Sequence, residues 1–369
     1  MHNILKAIIM VEKTRFIGFD LLRAYAIFGM YIVNFNMVFG DHNDTSWQGQ
    51  FLSLFSGNSS TIFVMLAGMG LTLMTKKHVF GTAEEQLNQK YIVIKRAGFL
   101  FVLGLLLAIW WPADILHFYG FYMFIASFFL FLNKKQYIYG AIIFAVVFHL
   151  LLLWIPYETG WNFDTLEYKD RWTLAGFIRN SFYNGWNAVF PWMSYFITGM
   201  YLAKLDWTDL SIQRKTFGIG LVLYLLIQLL QCIPKNLMTP EVDFFLNADY
   251  LPPFLPFLIS TIGFGLMLIA SFMYISKFIA HQKFANDLAK TGQMTLTHYI
   301  SHLTIGLVFF SFIIKQGYFA KINPSKSLSP ILIFIISLLY FICSYYFSKR
   351  WTKRFKHGPF ELLLRKISA

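Results

Sequence analysis

Two Asp–His groupings and one pair of histidines are the side chains whose types and spacing could do chemistry in this chain. Asp41, His42 and Asp44 stand together in DHNDTSWQG, with Trp47 close behind. A histidine flanked by carboxylates can be held in one tautomer and made more basic. That suits a general base or an acyl-accepting nucleophile, and a solvated surface histidine is the other reading. Asp114 and His117, in ADILHFYG, are three apart and could share a helical face. His298 and His302, in TLTHYISH, are four apart on one helical face, as a polar passage or as hydrogen-bonded bundle histidines. Asp20 and Arg23, in FDLLRA, also share a face; a structural ion pair and a site for an anionic cofactor both remain open. Asn34 can donate two hydrogen bonds. A buried amide aimed at a developing oxyanion is a known device, and bonding between helices is the competing use. No HExxH or comparable ligand pattern is present, so no metal is expected. Cys232 and Cys343 lie in separate apolar segments without metal-ligand or disulfide spacing.

The elements that must position these groups are membrane helices. The chain is 57% hydrophobic and 13% charged, with 42 Phe among 369 residues, more apolar surface than a water-facing shell can cover. Apolar runs of about 20 residues, the length that spans a bilayer, recur about ten times. They cover 17–39, 51–74, 94–111, 116–132, 137–155, 186–203, 217–233, 253–275, 294–314 and 330–346. The expected fold class is all-α, a polytopic membrane helix bundle forming one integral membrane domain. Ionisable side chains inside such a bundle are costly and usually have a structural or functional task. With the N-terminus cytoplasmic, all but seven of the 31 Lys and Arg fall on the inner side, which puts both termini in the cytoplasm. The weakest point is the loop holding Lys315, Lys321 and Lys326. The net charge of +13 sits in short loops rather than in a stripe with stacking aromatics, which argues against nucleic acid. The apolar run from Ile4 to Val11 is too short for a convincing cleaved signal, and translation could start at Met1 or Met10.

Several stretches together resemble the YeiB-type family of bacterial multipass membrane proteins. They are FDLLRA with GMYIVNF, GQFLSLFS, ADILHFYG, FPWMSYFITGMYLAKLD, TGQMTLTHYISHLTIG and HGPFELLLR. The first half, residues 16–205, also looks like the catalytic region of heparan-alpha-glucosaminide N-acetyltransferase, through the Asp20–Arg23 motif, VNF at 33–35, a His shortly before SWQG, and FPW at 190–192. Residues 206–369 lean to the YeiB side. The second resemblance implies an acyltransferase that takes acyl-CoA, acetyl-CoA above all, from the cytoplasm and acylates a sugar across the membrane. It makes Asn34 the active-site Asn and His42 the best match to the catalytic His, with Asp44 at the ungapped position. Arg23 with Asp20, and further along His298 and His302, would then serve the acyl-CoA. Trp47, Asp114, His117 and Trp192 would receive a glycan or lipid-linked sugar. A bacterial inner-membrane location follows, with membrane lipid as surroundings and a homodimer left open. The competing class is a small-molecule transporter without covalent chemistry.

Overall fold

The computed structural model describes residues 16–41, 44–314 and 327–369. Helices dominate it. The first, α1 (Ile17–Phe39), is followed by α2 (Trp47–Ser53), α3 (Asn58–Thr75), α4 (Ala83–Ala108), α5 (Leu116–Ala126) and α6 (Lys134–Leu152). A small antiparallel hairpin, β1 (Trp161–Asn162) and β2 (Glu167–Tyr168), leads to α7 (Leu174–Arg179) and a π turn over Asn180–Asn184. Then come α8 (Val189–Leu202), α9 (Leu210–Gln231), α10 (Pro240–Leu246), α11 (Leu255–Ile279), α12 (Lys283–Gln293) and α13 (Thr295–Ser301). A second π turn, His302–Gly306, joins α13 to α14 (Leu307–Ile314), and α15 (Pro330–Trp351) and α16 (Pro359–Ser368) complete the described chain.

Eight of these helical stretches are long and apolar enough to cross a membrane. Two of the ten expected spans are shorter helices. The fourth stops after the 11 residues of α5, where turns begin and Tyr137 Oη donates to the Phe129 and Leu130 carbonyls. The sixth is the 14-residue α8, whose helical path is interrupted by extended backbone at Phe190. The expected second span is bent into α2 and α3. Gly57 between them has φ +72, and a Cβ there would meet the Phe257 ring at 2.7 Å; glycine takes this left-handed conformation without strain.

Local signals set the helix starts. Ser46 Oγ accepts from Gly49 N to begin α2. Thr82 with Glu85, and Asn133 with Gln136, form reciprocal capping boxes on α4 and α6, satisfying N–H groups that the first helical turn leaves bare.

Helix α1 is the axis of the bundle. It packs against α3, α11, α12, α13 and α15, and Leu22, Ala26, Ile27, Tyr31, Ile32 and Phe35 are fully buried along it. The crossing with α12 is so close that a Cβ on Gly292 would stand 1.8 Å from the Asp20 carbonyl oxygen. On the outside, α6, α9 and α15 present Ile142, Val146, Leu226, Leu229 and Leu339 as exposed large apolar side chains, the surface that lipid tails require. Polar links between helices run inside: Tyr31 Oη lies 3.0 Å from Ser344 Oγ, and Tyr195 Oη 2.7 Å from Thr261 Oγ1.

Candidate functional site

One large cavity opens beside the last turns of α1, with a volume of about 650 Å³. Its wall carries Asn34 and Asn36 from α1, Asp41 and Asp44 after it, and Gln50 and Ser53 from α2. Ser56, Gly57 and Ser60 line it from the bend into α3, and Ala113 and Ile115 from the approach to α5. Trp186, Asn187, Tyr250 and Tyr299 bring polar-edged rings and one amide from later in the chain. Among the described lining residues none is Lys or Arg, and two are carboxylates. The cavity lies within the size range of small-molecule sites, with few polar groups on a largely apolar wall.

Asn34 is nearly buried, and its Nδ2 lies 2.8 Å from His302 Nε2. Asp44 sits at the mouth, where its Oδ1 accepts from the backbone N of Ser46 at 2.8 Å. The Ser46 hydroxyl and amide together hold its pKa below the usual carboxylate value, so it stays ionised at neutral pH. His42 lies outside the described residues; its neighbours Asp41 and Asp44 both line the cavity.

Asp114 and His117 are fully buried behind the cavity wall rather than on it. Asp114 Oδ1 accepts from Tyr299 Oη at 3.0 Å, and its Oδ2 lies 3.1 Å from both the backbone N and Nδ1 of His117. Arg171 Nη2 stands 3.4 Å from His117 Nε2, and Arg171 Nη1 donates to the Pro112 carbonyl. An arginine only donates, so His117 Nε2 accepts and its Nδ1 proton goes to Asp114. The carboxylate and the guanidinium thus face each other across a neutral imidazole. Burial lowers the Arg171 pKa below its ordinary value, and the nearby Asp114 works against that shift. Tyr299 Oη also accepts from Ile115 N at 3.1 Å, which clamps the phenol into the wall.

The other sequence candidates are spread apart. Arg23 Nη1 pairs with Asp20 Oδ1 at 2.8 Å, and Gln293 Nε2 donates to Asp20 Oδ2 at 3.0 Å. Neither Asp20 nor Arg23 lines the cavity. His298 Nε2 lies 2.7 Å from Ser348 Oγ, away from the cavity wall. Trp47 is 74% exposed and outside the lining. Trp192 is fully buried with Nε1 unpartnered, its ring 5.3 Å from Tyr250, which does line the cavity. Among the described residues no His, Cys, Asp or Glu cluster has the arrangement to hold a metal ion.

Tyr299, Arg171, Asn187 and Tyr250 were not evident from the sequence. Asn187 Nδ2 donates to Tyr250 Oη at 2.8 Å across 63 residues of chain; such long-range polar pairs leave no local pattern. Tyr299 did leave one, standing between the two histidines of TLTHYISH.

Comparison with known families places these features. The family model described as "Heparan-alpha-glucosaminide N-acetyltransferase, catalytic" matches residues 15–236, which hold Asp20, Arg23, Asn34, Asp44, Asp114, His117 and Arg171. The model described as "Protein of unknown function (DUF418)", the YeiB family, matches residues 202–369, which hold His298, Tyr299 and His302. No curated protein matches the chain. With well over half of its length matched by the first model, the chain belongs to the heparan-alpha-glucosaminide N-acetyltransferase catalytic family of multipass membrane proteins, and its C-terminal region is similar to the DUF418 model.

Proposed function

We propose that this protein is a transmembrane acyltransferase that moves an acyl group, acetyl first among candidates, from cytoplasmic acyl-CoA to a hydroxyl or amine of a glycan or lipid-linked sugar on the far side of a bacterial inner membrane. The observation that carries the reading is the cavity of about 650 Å³ with Asn34 in its wall and two carboxylates on either side of position 42. Rings beside carboxylates and amides suit the faces and hydroxyls of a sugar.

In this reading the basic loops are cytoplasmic. Arg23 lies about 16 Å from Asn34 along α1 at about 1.5 Å per residue, of the order of an extended pantetheine arm. Its side chain is 24% exposed and paired with Asp20, so it can offer charge to a phosphate while the carboxylate keeps it oriented. In the transfer step His42 takes the proton of the attacking hydroxyl or amine as the new C–O or C–N bond forms. An N–H of Asn34 meets the oxyanion. Collapse breaks the C–S bond, and the proton passes to the departing thiolate. Asp44 favours the charged imidazolium, and Tyr299, clamped by Asp114, supplies a fixed ring in the acceptor wall.

The test is direct. Acetyl-CoA at about 100 times its Kd should stabilise the detergent-purified protein by about 2.7 kcal/mol, read as a rise in unfolding temperature. Sugars with free amines or hydroxyls should then release free thiol from acetyl-CoA. Absence of any stabilisation at millimolar acetyl-CoA, together with counterflow of a labelled solute without it, would replace the enzyme by a transporter.

A further inference from the structure

No step of the proposed acyl transfer uses His302, yet it is the one side chain hydrogen-bonded to Asn34 among the described contacts. It is fully buried, enclosed by the rings of Tyr31 at 5.1 Å, Tyr299 at 5.3 Å and Phe35 at 6.4 Å between centroids. Its Nδ1 lies 3.2 Å from the His298 carbonyl oxygen. A carbonyl only accepts, so Nδ1 carries the proton. Nε2 is therefore bare and accepts from Asn34 Nδ2 at 2.8 Å.

That settles the state of the Asn34 carboxamide. A side-chain amide otherwise turns broadly about its last torsion, and its two ends are close to isosteric. Here one N–H is committed to His302. Among the described residues no other hydrogen bond takes its second N–H or its Oδ1, and Asn34 lines the cavity. The helix is also unusual at this point: the π turn runs over His302–Gly306, beginning at the histidine itself. Such turns are rare and are found frequently at functional sites.

We propose that His302 is the positioning residue for Asn34: its bare Nε2 fixes the carboxamide so that the remaining N–H is presented to the thioester oxygen. The inference rests on the acyl-transfer reading. It makes the active site composite, with the oxyanion donor from the region matched by the acetyltransferase model and its aligner from the region matched by the DUF418 model.

The experiment compares wild type, Asn34→Ala, His302→Leu, His302→Gln and the double variant Asn34→Ala/His302→Leu, all as full-length protein in detergent. Thiol release from acetyl-CoA is followed with a panel of sugar amines and alcohols. Unfolding temperatures are taken alongside, and the histidine ring nitrogens are observed by nitrogen-15 NMR. Asn34→Ala should lower kcat by about 10²–10³-fold, as loss of one oxyanion donor does. His302→Leu should lower kcat by about 10–100-fold, part of that donor effect, with KM for acetyl-CoA little changed. His302→Gln, whose Oε1 can accept from the same N–H, should recover most of the rate. The double variant should be no slower than Asn34→Ala alone, because a positioning residue has nothing left to position. Unchanged kcat in His302→Leu, or losses that multiply in the double variant, would overturn the assignment while leaving the enzyme reading intact. A wild type that neither binds acetyl-CoA nor releases thiol overturns both, and the nitrogen spectrum then still reports whether Nε2 is the unprotonated, hydrogen-bonded atom. A drop in unfolding temperature without a kcat effect assigns His302 to packing alone.

Discussion

Asp114 is a carboxylate in a fully buried position, and its stability there depends on how many donors reach it. Tyr299 Oη, His117 Nδ1 and the His117 amide do so, with Arg171 one residue further out. Removing the phenolic oxygen by Tyr299→Phe takes one donor from the carboxylate and the acceptor from Ile115 N. We expect a loss of about 1.5–3 kcal/mol, the scale of a hydrogen bond to a charged group, measured as a lowered unfolding temperature. Acetyl-CoA stabilisation should persist, since Arg23 is untouched. The sequence made Asp114 and His117 visible as a pair, but not that they face away from the cavity. Spacing of three reports a shared face; only the packing of Tyr299 and Arg171, from distant segments, says which way that face looks.

At the scale of elements, α13 is short and carries Tyr299, and His302 follows directly after it. Its start is held by the C-terminal helix: Glu361 of α16 accepts from the backbone N of Thr297 at 3.1 Å and from its hydroxyl. A first-turn N–H has no partner within its own helix, so α16 supplies what α13 lacks. Burial raises the Glu361 pKa above its model-compound value of 4.5, against the hydrogen bonds from Thr297 that lower it. Because the folded-state value lies above the unfolded one, folding takes up a proton. The contribution is fully present below about pH 4.5 and falls as pH rises through the folded-state pKa. Glu361→Gln keeps an acceptor for Thr297 and removes the titration. Its unfolding temperature should be flatter across mildly acidic to neutral pH than that of wild type, and an identical pH profile would show that Glu361 does not titrate in this window. Most spans were legible from apolar run length alone, because lipid demands it. The bend at Gly57, the early stop of α5 and the break at Phe190 were not, because each depends on what packs opposite.

Across the whole molecule, helices from both family regions wrap α1. Helices α11, α12, α13 and α15 pack against it, and so does α3. A chain ending after Gln231 would keep most of the acetyltransferase-like region yet strip α1 of four neighbours. Such a fragment should give no monodisperse peak on size exclusion in detergent, and a compact, stable fragment would show that α1 is satisfied without them. This arrangement also governs how the protein is made. Asn34 and its partner His302 are separated by 268 positions, so at about 5–20 residues per second the ribosome delivers the second roughly 15–50 s after the first. Through that interval the carboxamide of Asn34 stands in α1 without the imidazole that aligns it in the finished fold, so the alignment is completed only by a late segment of the chain.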